Sequence, residues 1–251
     1  MTLLEVKNIT KNFGGLCAVS NLDFEIGHGE IIGLIGPNGA GKTTVFNLIS
    51  GVYKPNSGII RFQNEIITGL KPHIIAQKGM VRTFQNTSLF HGMTVLENLA
   101  VAGHYRFGEN IFETIVTPWT YKRKKAALME KAQQILGFMG IDNKQNELPA
   151  NLAYGHQRIL GICIALATEP RMLLLDEPAA GMNPSETLNL MELLVKIKET
   201  GVSILLVEHD MKLVMGICER IVAVSFGKKL AEGSPEAVQK DKNVIKAYLG
   251  G

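Results

Sequence analysis

Residues 30–43 read EIIGLIGPNGAGKT. Their first six residues are mostly apolar and predict a buried strand, the glycines that follow predict a loop, and residues 42–50 have helical periodicity. The spacing G-x-x-x-x-G-K-[ST], placed after a strand and at the start of a helix, is typical of a loop that binds phosphate. We call residues 36–43 the phosphate loop. The stretch favours an α/β fold with a phosphate site at the start of its first helix.

The residue types of the phosphate loop suit this chemistry. Glycines let the backbone curl so that consecutive N–H groups point inward, and the helix amino terminus adds positive potential. Lys42 would place a cation on the terminal phosphates, and Thr43 would offer a hydroxyl to Mg²⁺. The candidate ATP-binding residues in this region are Gly36, Pro37, Asn38, Gly39, Ala40, Gly41, Lys42, Thr43 and Thr44.

Two further apolar runs, residues 172–175 and 203–207, predict buried strands that end in polar residues. Asp176 and Glu177 follow the first, and His209 comes shortly after the second. Ligands bind at the carboxyl ends of parallel strands, so we expect these side chains near the phosphate loop. Asp176 would hold the Mg²⁺ shell, Glu177 would orient and deprotonate the attacking water, and His209 would hydrogen-bond to the γ-phosphate or to Glu177.

Composition limits the function classes. The 251-residue chain is 46% hydrophobic and 20% charged with a formal net charge of +3, so no strong attraction to nucleic acid or anionic lipid is expected. Glu5 and Lys7 interrupt the first apolar stretch, so it lacks the uninterrupted apolar core of a signal peptide. No apolar run approaches the ~18 to 20 residues that cross a bilayer, so no membrane span is expected. Three cysteines at unrelated spacings fit reduced thiols. We expect a cytosolic globular protein.

The order of predicted elements suggests one domain with an insertion. Alternating apolar residues near the amino terminus predict a small antiparallel layer, and residues 235–249 predict a closing helix. Residues 93–164 are mostly helical. We therefore predict a nucleotide-binding core with a β layer from residues 1–92 and 165–251, and an α-helical subdomain from residues 93–164.

With Lys42, Gln85, Asp176, Glu177 and His209 in this order, and an α-rich insertion before the acidic strand, the chain resembles an ABC-type ATPase subunit across nearly its whole length. The resemblance implies a P-loop NTPase (RecA-like) core carrying an antiparallel β layer and the helical subdomain. It also implies that ATP and Mg²⁺ are the cofactors and that Gln85 senses Mg²⁺ and the attacking water.

Two other residues take roles from the same resemblance. Phe13 looks like the aromatic that stacks on adenine. Asn183 stands in the loop that crosses the dimer interface, where the family more often has aspartate.

Within this family, the chain is similar to one subgroup above all, the ATPase subunits of high-affinity branched-chain amino acid importers. The similarity rests on residues 152–155, on residues 208–215 and on the long segment 103–125. It implies two ATPase subunits, head to tail, beneath two polytopic permease subunits at the cytoplasmic face of the cell membrane. An external solute-binding protein would serve the permeases, and no nucleic acid would be involved.

Residues 153–156, which we call the signature turn, stand where this family has its phosphate-contacting signature. The resemblance implies that Ala153, Tyr154, Gly155 and His156 touch the nucleotide of the partner subunit. Ala153 lacks the hydroxyl of the usual serine, and His156 replaces the usual glutamine. The alternative is that this turn is only a helix start without a capping side chain.

Other functions share part of this pattern. The ATPase subunit of a lipopolysaccharide-export system has the same subgroup features. A soluble, non-transport ABC ATPase commonly has two fused cassettes or a coiled-coil insert, whereas this chain has one cassette and no heptad run. A small-molecule kinase would share the phosphate loop but would not need Gln85 or the signature turn.

Overall fold

The computed structural model describes residues 1–83, 89–107 and 118–249. Its strands are β1 (Thr2–Phe13), β2 (Leu16–Gly27), β3 (Ile31–Ile35), β4 (Ser57–Phe62), β5 (Glu65–Ile66), β6 (Met80–Arg82), β7 (Met172–Asp176), β8 (Ser203–Val207), β9 (Arg220–Ser225) and β10 (Lys228–Gly233). Its helices are α1 (Lys42–Ile49), α2 (Pro72–Gln77), α3 (Val95–Phe107), α4 (Pro118–Phe138), α5 (Tyr154–Ala167), α6 (Pro184–Glu199), α7 (Met211–Ile217), α8 (Pro235–Lys240) and α9 (Lys242–Leu249).

The central sheet of the described chain has the strand order β10-β9-β3-β8-β7-β6. All neighbours in it are parallel except β10, which pairs antiparallel with β9 at one edge. Strands β3, β8 and β7 are therefore parallel neighbours, and their carboxyl ends lie side by side. This confirms the prediction that the residues after β7 and β8 lie at the same edge of the sheet as the phosphate loop. Connections through helices give this parallel arrangement and make the protein an α/β fold.

Both faces of the central sheet are covered, which explains why its strands read as continuous apolar runs. On β3, Ile31 and Ile35 pack into a cluster formed mainly with the helices. Ile32 and Leu34, which alternate with them, pack into a second cluster with α1 and the β layer. All five residues of β3 are buried.

The predicted antiparallel layer is present as a sheet of order β2-β1-β4-β5 in the described chain. β1 and β2 form a long hairpin through Gly14 and Gly15, and β4 pairs antiparallel on the other side of β1. Leu4, Val6 and Ile9 are buried on the face of β1 that packs toward the central sheet. The layer therefore supports α1 and the phosphate loop from one side.

The predicted helical segment contains α3, α4 and the start of α5. The boundary predicted between residues 164 and 165 falls within α5, which is continuous from Tyr154 to Ala167. Leu160 and Cys163 of this helix are buried in the same cluster as Leu173 and Leu175 of β7. Helix α5 therefore packs directly on the central sheet as well as on the helical segment.

The carboxyl-terminal region differs from the single helix predicted over residues 235–249. It forms α8 and α9, separated at Asp241, whose backbone is extended with ψ 123°. The Asp241 carboxylate accepts hydrogen bonds from the N–H groups of Asn243 at 2.7 Å and Val244 at 3.1 Å, so it starts a new helix. An aspartate that caps a helix favours a break over a continuous helix. The short strand β6 and the half-exposed β10 were not predicted.

Candidate functional site

The phosphate loop connects β3 to α1, and two of its glycines are required by the close approach of backbone. A Cβ atom on Gly36 would lie 2.1 Å from the carbonyl oxygen of Val224 on β9. At Gly41 the φ angle is +101°, and a Cβ atom would lie 2.6 Å from the carbonyl oxygen of Ala18 on β2. A side chain at either position would push the loop away from the strands that support it.

Lys42 lies within the loop, with only 6% of the residue exposed. Its Nζ donates hydrogen bonds to the carbonyl oxygens of Gly36 at 2.7 Å and Pro37 at 3.0 Å. Burial lowers the pKa of Lys42, while the nearby carboxylates of Glu177 and Asp176 act to raise it. Helix α1 has no side-chain cap at Gly41, and the N–H groups of an uncapped helix start suit an anion.

Glu177 and His209 meet at the ends of β7 and β8. Glu177 Oε1 lies 2.8 Å from His209 Nε2. The backbone N–H of Glu177 donates to the carbonyl oxygen of Val207 at 2.8 Å, which holds the two strand ends together. The φ angle of Glu177 is +49°, a strained conformation for a residue with a long side chain, and such strain is concentrated at functional sites.

Glu208, between β8 and His209, is a buried carboxylate with a positioning role that the sequence did not reveal. Its Oε1 accepts the N–H of Ala179 at 2.7 Å, and its Oε2 accepts the N–H of His209 at 3.0 Å. Burial raises the pKa of Glu208, although these backbone N–H groups act to lower it. The side chain thus ties the loop after Glu177 to the backbone of His209. A glutamate directly after an apolar strand was the available signal.

Asp176 is buried, and its Oδ2 accepts a hydrogen bond from Arg82 Nη2 at 2.8 Å. Thr43, in the first turn of α1, is exposed. Arg82 was not recognisable from the sequence, because a lone arginine at the end of a three-residue strand has no pattern that marks it.

Phe13 and most of the predicted ATP-binding residues line one cavity of about 410 Å³, which we call the phosphate-loop cavity. Phe13 is 42% exposed, and its ring meets that of Tyr53 edge to face with the centroids 5.2 Å apart. Gly36, Pro37 and Asp176 are not in the lining. The cavity is lined by Phe13, Leu16, Cys17, Ala18, Asn38, Gly39, Ala40, Gly41, Lys42, Thr43, Thr44, Glu177, His209 and Phe226.

Phe226 is one of four lining residues, with Leu16, Cys17 and Ala18, that were not predicted from the sequence. It is 88% exposed in the two-residue turn between β9 and β10, where Gly227 follows it. The N–H of Gly227 donates to the carbonyl oxygen of Ala40 at 2.9 Å, which attaches the turn to the phosphate loop. Both turn residues have positive φ, a conformation usually given to Asn-Gly, so a phenylalanine there was a detectable irregularity.

The signature turn does not line the phosphate-loop cavity of its own chain. Helix α5 begins at Tyr154, and its N-cap Ala153 makes no side-chain cap. Tyr154 is 48% exposed, and a Cβ atom on Gly181 would lie 2.8 Å from its Cε1. Gly155 is buried, and a Cβ atom on it would lie 2.7 Å from Glu186 Oε1. The turn therefore packs against the loop that leads into α6.

Asn183 caps α6 and so connects to the signature turn. Its side-chain oxygen accepts the N–H groups of Ser185 and Glu186, both at 3.0 Å. Glu186 Oε2 in return accepts the N–H of Asn183 at 2.9 Å, which completes a capping box. Asparagine fulfils this capping role as aspartate would. Glu186 therefore touches both Asn183 and the space beside Gly155.

Gln85 lies outside the described residues. The remaining candidate metal ligands, the Thr43 hydroxyl and the Asp176 carboxylate, are oxygen donors of the kind that Mg²⁺ prefers. No group of three or more His, Cys, Asp or Glu side chains that could hold a metal ion occurs in the described part of the chain. A Mg²⁺ ion bound mainly by nucleotide phosphates and water would fit so small a protein donor set.

Comparison with known proteins gives two family matches. Residues 19–180 match the family model described as ABC transporter. Residues 228–251 match the model described as branched-chain amino acid ATP-binding cassette transporter.

Full-length relatives show the same similarity. The high-affinity branched-chain amino acid transport ATP-binding proteins BraF of Pseudomonas aeruginosa and LivG of Escherichia coli K12 are each 46% identical over 249 residues, covering 99% of this chain and 98% of theirs. The lipopolysaccharide export system ATP-binding protein LptB of Haemophilus influenzae is 32% identical over 250 residues, covering 100% of this chain and 98% of its own.

Among solved structures, the ADP conformation of MJ1267, an ATP-binding cassette of an ABC transporter, superposes with a TM-score of 0.88 at 31% identity. The match covers 100% of both chains. The β layer, the central sheet and the helical segment described above therefore all have counterparts in that cassette.

Proposed function

This chain belongs to the ABC transporter family, and we propose that it is the ATP-hydrolysing subunit that energises an importer of branched-chain amino acids. Its fold is that of an ABC ATPase cassette, with a nucleotide-binding α/β core, an antiparallel β layer and a helical segment. The observation that carries the proposal is the contact of Glu177 with His209 on the wall of the phosphate-loop cavity.

In this proposal ATP lies in the phosphate-loop cavity. The phosphates would meet the amino terminus of α1 and Lys42, whose charge lies among the loop carbonyls and the two carboxylates. Phe13, half-exposed at the cavity wall and held by Tyr53, would stack on the adenine ring. Stacking of an aromatic ring on a base is favourable whichever base is present. This contact would therefore add to nucleotide affinity without distinguishing adenine from other bases.

Hydrolysis would need a water molecule aligned with the γ-phosphate and a base to accept its proton. Glu177 is the carboxylate on the cavity wall, and His209 holds its Oε1 at hydrogen-bond distance. Glu208 fixes the backbone of His209, so the base, its partner and the strand ends form one unit. Lys42 and the helix dipole would stabilise the charge on the departing phosphate.

Thr43 and Asp176 would hold Mg²⁺, with Gln85 as a further ligand proposed from the family resemblance. When bound, Mg²⁺ would neutralise charge that develops on the phosphates during transfer. Asp176 would act through water, because it is buried and does not line the cavity. The oxygen donors of Thr43 and Asp176 suit this ion.

The working assembly would be a head-to-tail pair of ATPase subunits. The signature turn lies outside its own cavity yet exposes Tyr154, which suits contact with the nucleotide of a partner subunit. None of the described helices is long and apolar enough to cross a membrane. We infer that two polytopic permeases hold the pair at the cytoplasmic face of the cell membrane, and that an external solute-binding protein delivers the substrate.

Branched-chain amino acids are proposed as the cargo on two grounds. Identity to BraF and LivG is 46%, compared with 32% to LptB. The match of residues 228–251 to the branched-chain amino acid model supports the same class. Lipopolysaccharide export is the second candidate because the relative that serves it also aligns along the whole chain.

The test is to measure leucine uptake by cells of the source organism after deletion of the gene for this chain. Uptake should fall and should be restored by the parent chain but not by Glu177→Gln, which is matched in size and lacks the base. Unchanged leucine uptake together with accumulation of lipopolysaccharide at the inner membrane would favour the export function. Unchanged uptake without any export defect would contradict a role in either transport process.

A further inference from the structure

Arg82, at the end of β6, is largely but not fully buried and contacts Asp176 of the proposed Mg²⁺ site. Only 10% of its side chain is exposed. Its Nη2 donates to Asp176 Oδ2 at 2.8 Å, and its Nη1 donates to Asn47 Oδ1 at 2.6 Å and lies 3.3 Å from Ser50 Oγ. A charge shielded from water is costly unless it is paired and hydrogen-bonded. Arg82 has both an ion pair with Asp176 and a hydrogen bond to Asn47.

These contacts join two elements that carry the candidate metal ligands. Asp176 ends β7, whereas Thr43 stands in the first turn of α1, the helix that also carries Asn47. The guanidinium of Arg82 also lies over the ring of Phe46 on α1, with its Cζ 5.6 Å from the ring centroid. The arginine therefore holds the carboxylate of one element and the side chains of the other at the same time.

The chemistry of arginine suits this double contact. A guanidinium is planar and presents several N–H donors in fixed directions, so one group can bind a carboxylate on one side and an amide oxygen on the other. Lysine has the same charge but concentrates it at a single nitrogen, which cannot make these two hydrogen bonds in the same fixed, planar arrangement.

We propose that Arg82 is a positioning residue that aligns Asp176 with Thr43 for Mg²⁺ binding. It holds Oδ2 of Asp176 and fixes α1 through Asn47, and would thereby keep the Asp176 carboxylate and the Thr43 hydroxyl in place to bind Mg²⁺. This inference rests on the proposed function, since it takes Thr43 and Asp176 as the Mg²⁺ ligands. Residues that orient metal ligands through hydrogen bonds typically contribute ~10- to 100-fold to metal affinity.

The experiment measures metal and nucleotide binding separately. Mn²⁺ replaces Mg²⁺ and is titrated by electron paramagnetic resonance in the presence of a non-hydrolysable ATP analogue. Binding of a fluorescent ATP analogue is measured in EDTA, without metal. Arg82→Lys and Arg82→Gln should each weaken Mn²⁺ binding ~10- to 100-fold and leave metal-free nucleotide binding within about twofold.

Arg220→Lys is the matched control. Arg220 Nε donates to Glu30 Oε1 at 2.9 Å, but Arg220 begins β9, which β3, β8 and β7 separate from β6 in the central sheet. This substitution makes the same chemical change in a partly exposed ion pair of the same sheet. It should alter neither Mn²⁺ nor nucleotide binding.

Asp176→Asn separates failure of this inference from failure of the proposed metal site. If Asp176→Asn loses Mn²⁺ but Arg82→Lys binds it as tightly as the parent chain, Arg82 does not position the carboxylate. A lowered Tm with unchanged Mn²⁺ affinity would overturn the proposal in the same way, because it would show a structural role alone. If Asp176→Asn also keeps Mn²⁺ affinity, the assignment of Asp176 as a ligand is wrong.

Asn47→Ala tests the same contact even if the Arg82 variants fail to fold. Alanine favours the helix, and the change removes the partner of Arg82 Nη1 on α1. Mn²⁺ binding should weaken severalfold while metal-free nucleotide binding stays within about twofold. Unchanged Mn²⁺ affinity would show that Arg82 does not align Asp176 with α1.

Discussion

Glu177 Oε1 lies 2.8 Å from His209 Nε2, across the ends of two neighbouring parallel strands. Both residues follow strands whose side chains are entirely buried, so the backbone that carries them is held firmly by the sheet. Glu208 adds a hydrogen bond to the backbone of His209. The contact therefore has a rigid support, which Glu177 would need in order to keep its orientation as the proposed catalytic base.

Glu177→Gln should retain ATP binding but hydrolyse ATP ~10²- to 10⁴-fold more slowly, because the amide cannot accept a proton from water. It should also accumulate an ATP-bound dimer. Phosphate release and calorimetric ATP binding measure the two effects. Glu192→Gln, on the exposed face of α6, is the control and should hydrolyse ATP at the parent rate. Parent-rate hydrolysis by Glu177→Gln would show that another group is the base.

His209→Ala should slow hydrolysis in the parent chain but add little in the Glu177→Gln background. Residues that act as a unit give non-additive effects, and we expect a coupling free energy of about 1 to 3 kcal/mol from the double-mutant cycle. The steady-state hydrolysis rates of the parent, both single variants and the double variant provide the measurement. Fully additive effects would mean that His209 acts independently of Glu177.

Ala153→Ser should tighten the ATP-bound dimer at least about tenfold, because a hydroxyl at this N-cap could donate to a phosphate of the partner's nucleotide. Light scattering in the Glu177→Gln background measures dimer formation. Lys71→Ser is the control, since Lys71 is also an N-cap without a side-chain cap but lies at α2. If Ala153→Ser leaves the dimer unchanged, the signature turn is only a helix start.

Cys17 should react with N-ethylmaleimide at neutral pH, whereas Cys163 and Cys218 should not. Cys17 is exposed and lines the phosphate-loop cavity. Burial raises the pKa of Cys218 to about 12 and raises the pKa of Cys163 well above its usual range. Neither buried sulfur forms appreciable thiolate, the reactive form.

Nucleotide should protect Cys17 from this reaction. At an ATP concentration of 100 Kd the labelling rate should fall up to about 100-fold, because only the free cavity reacts. Mass spectrometry identifies the modified residue, and Cys17→Ser should remain unlabelled. Labelling of Cys17 at the same rate with and without saturating ATP would contradict nucleotide binding in this cavity.

Phe226→Asn should stabilise the fold by about 1 kcal/mol, because asparagine tolerates the left-handed conformation better than phenylalanine does. The φ angle is +46° at Phe226 and +74° at Gly227, and Ser225 pairs with Lys228 across the turn. For a chain of this size Tm should rise by roughly 2 to 4 °C. Phe226→Ala removes the same exposed ring without relieving the backbone. Equal Tm values for the two variants would rule out turn strain.

The phosphate loop, α1 and the three strands around it could be predicted from sequence because their signals are local. Residues 30–43 combine an apolar run, glycines and a helix start within one short stretch. The strand ends that carry Asp176, Glu177 and His209 were recognisable because strands buried on both faces read as continuous apolar runs. Their convergence then follows from the geometry of parallel sheets.

The break at Asp241 and the strand β10 were harder to predict for a physical reason. Asp241 ends one helix and caps the next through contacts of only two and three residues, which helical periodicity does not record. Strand β10 is partly exposed and begins with two lysines, so its pairing with β9, rather than its own hydrophobic pattern, makes it a strand.

By itself the sequence determined the α/β core, the phosphate loop and the order of the candidate catalytic residues, since each depends on spacing along the chain. Tertiary structure alone decided which partners those residues have. Arg82 and Asp176 are 94 residues apart, yet the pairing of β6 with β7 brings them together. Phe226 reaches the phosphate loop only because the turn after β9 bonds to Ala40. Such contacts depend on how elements pack, and no local pattern of residues specifies them.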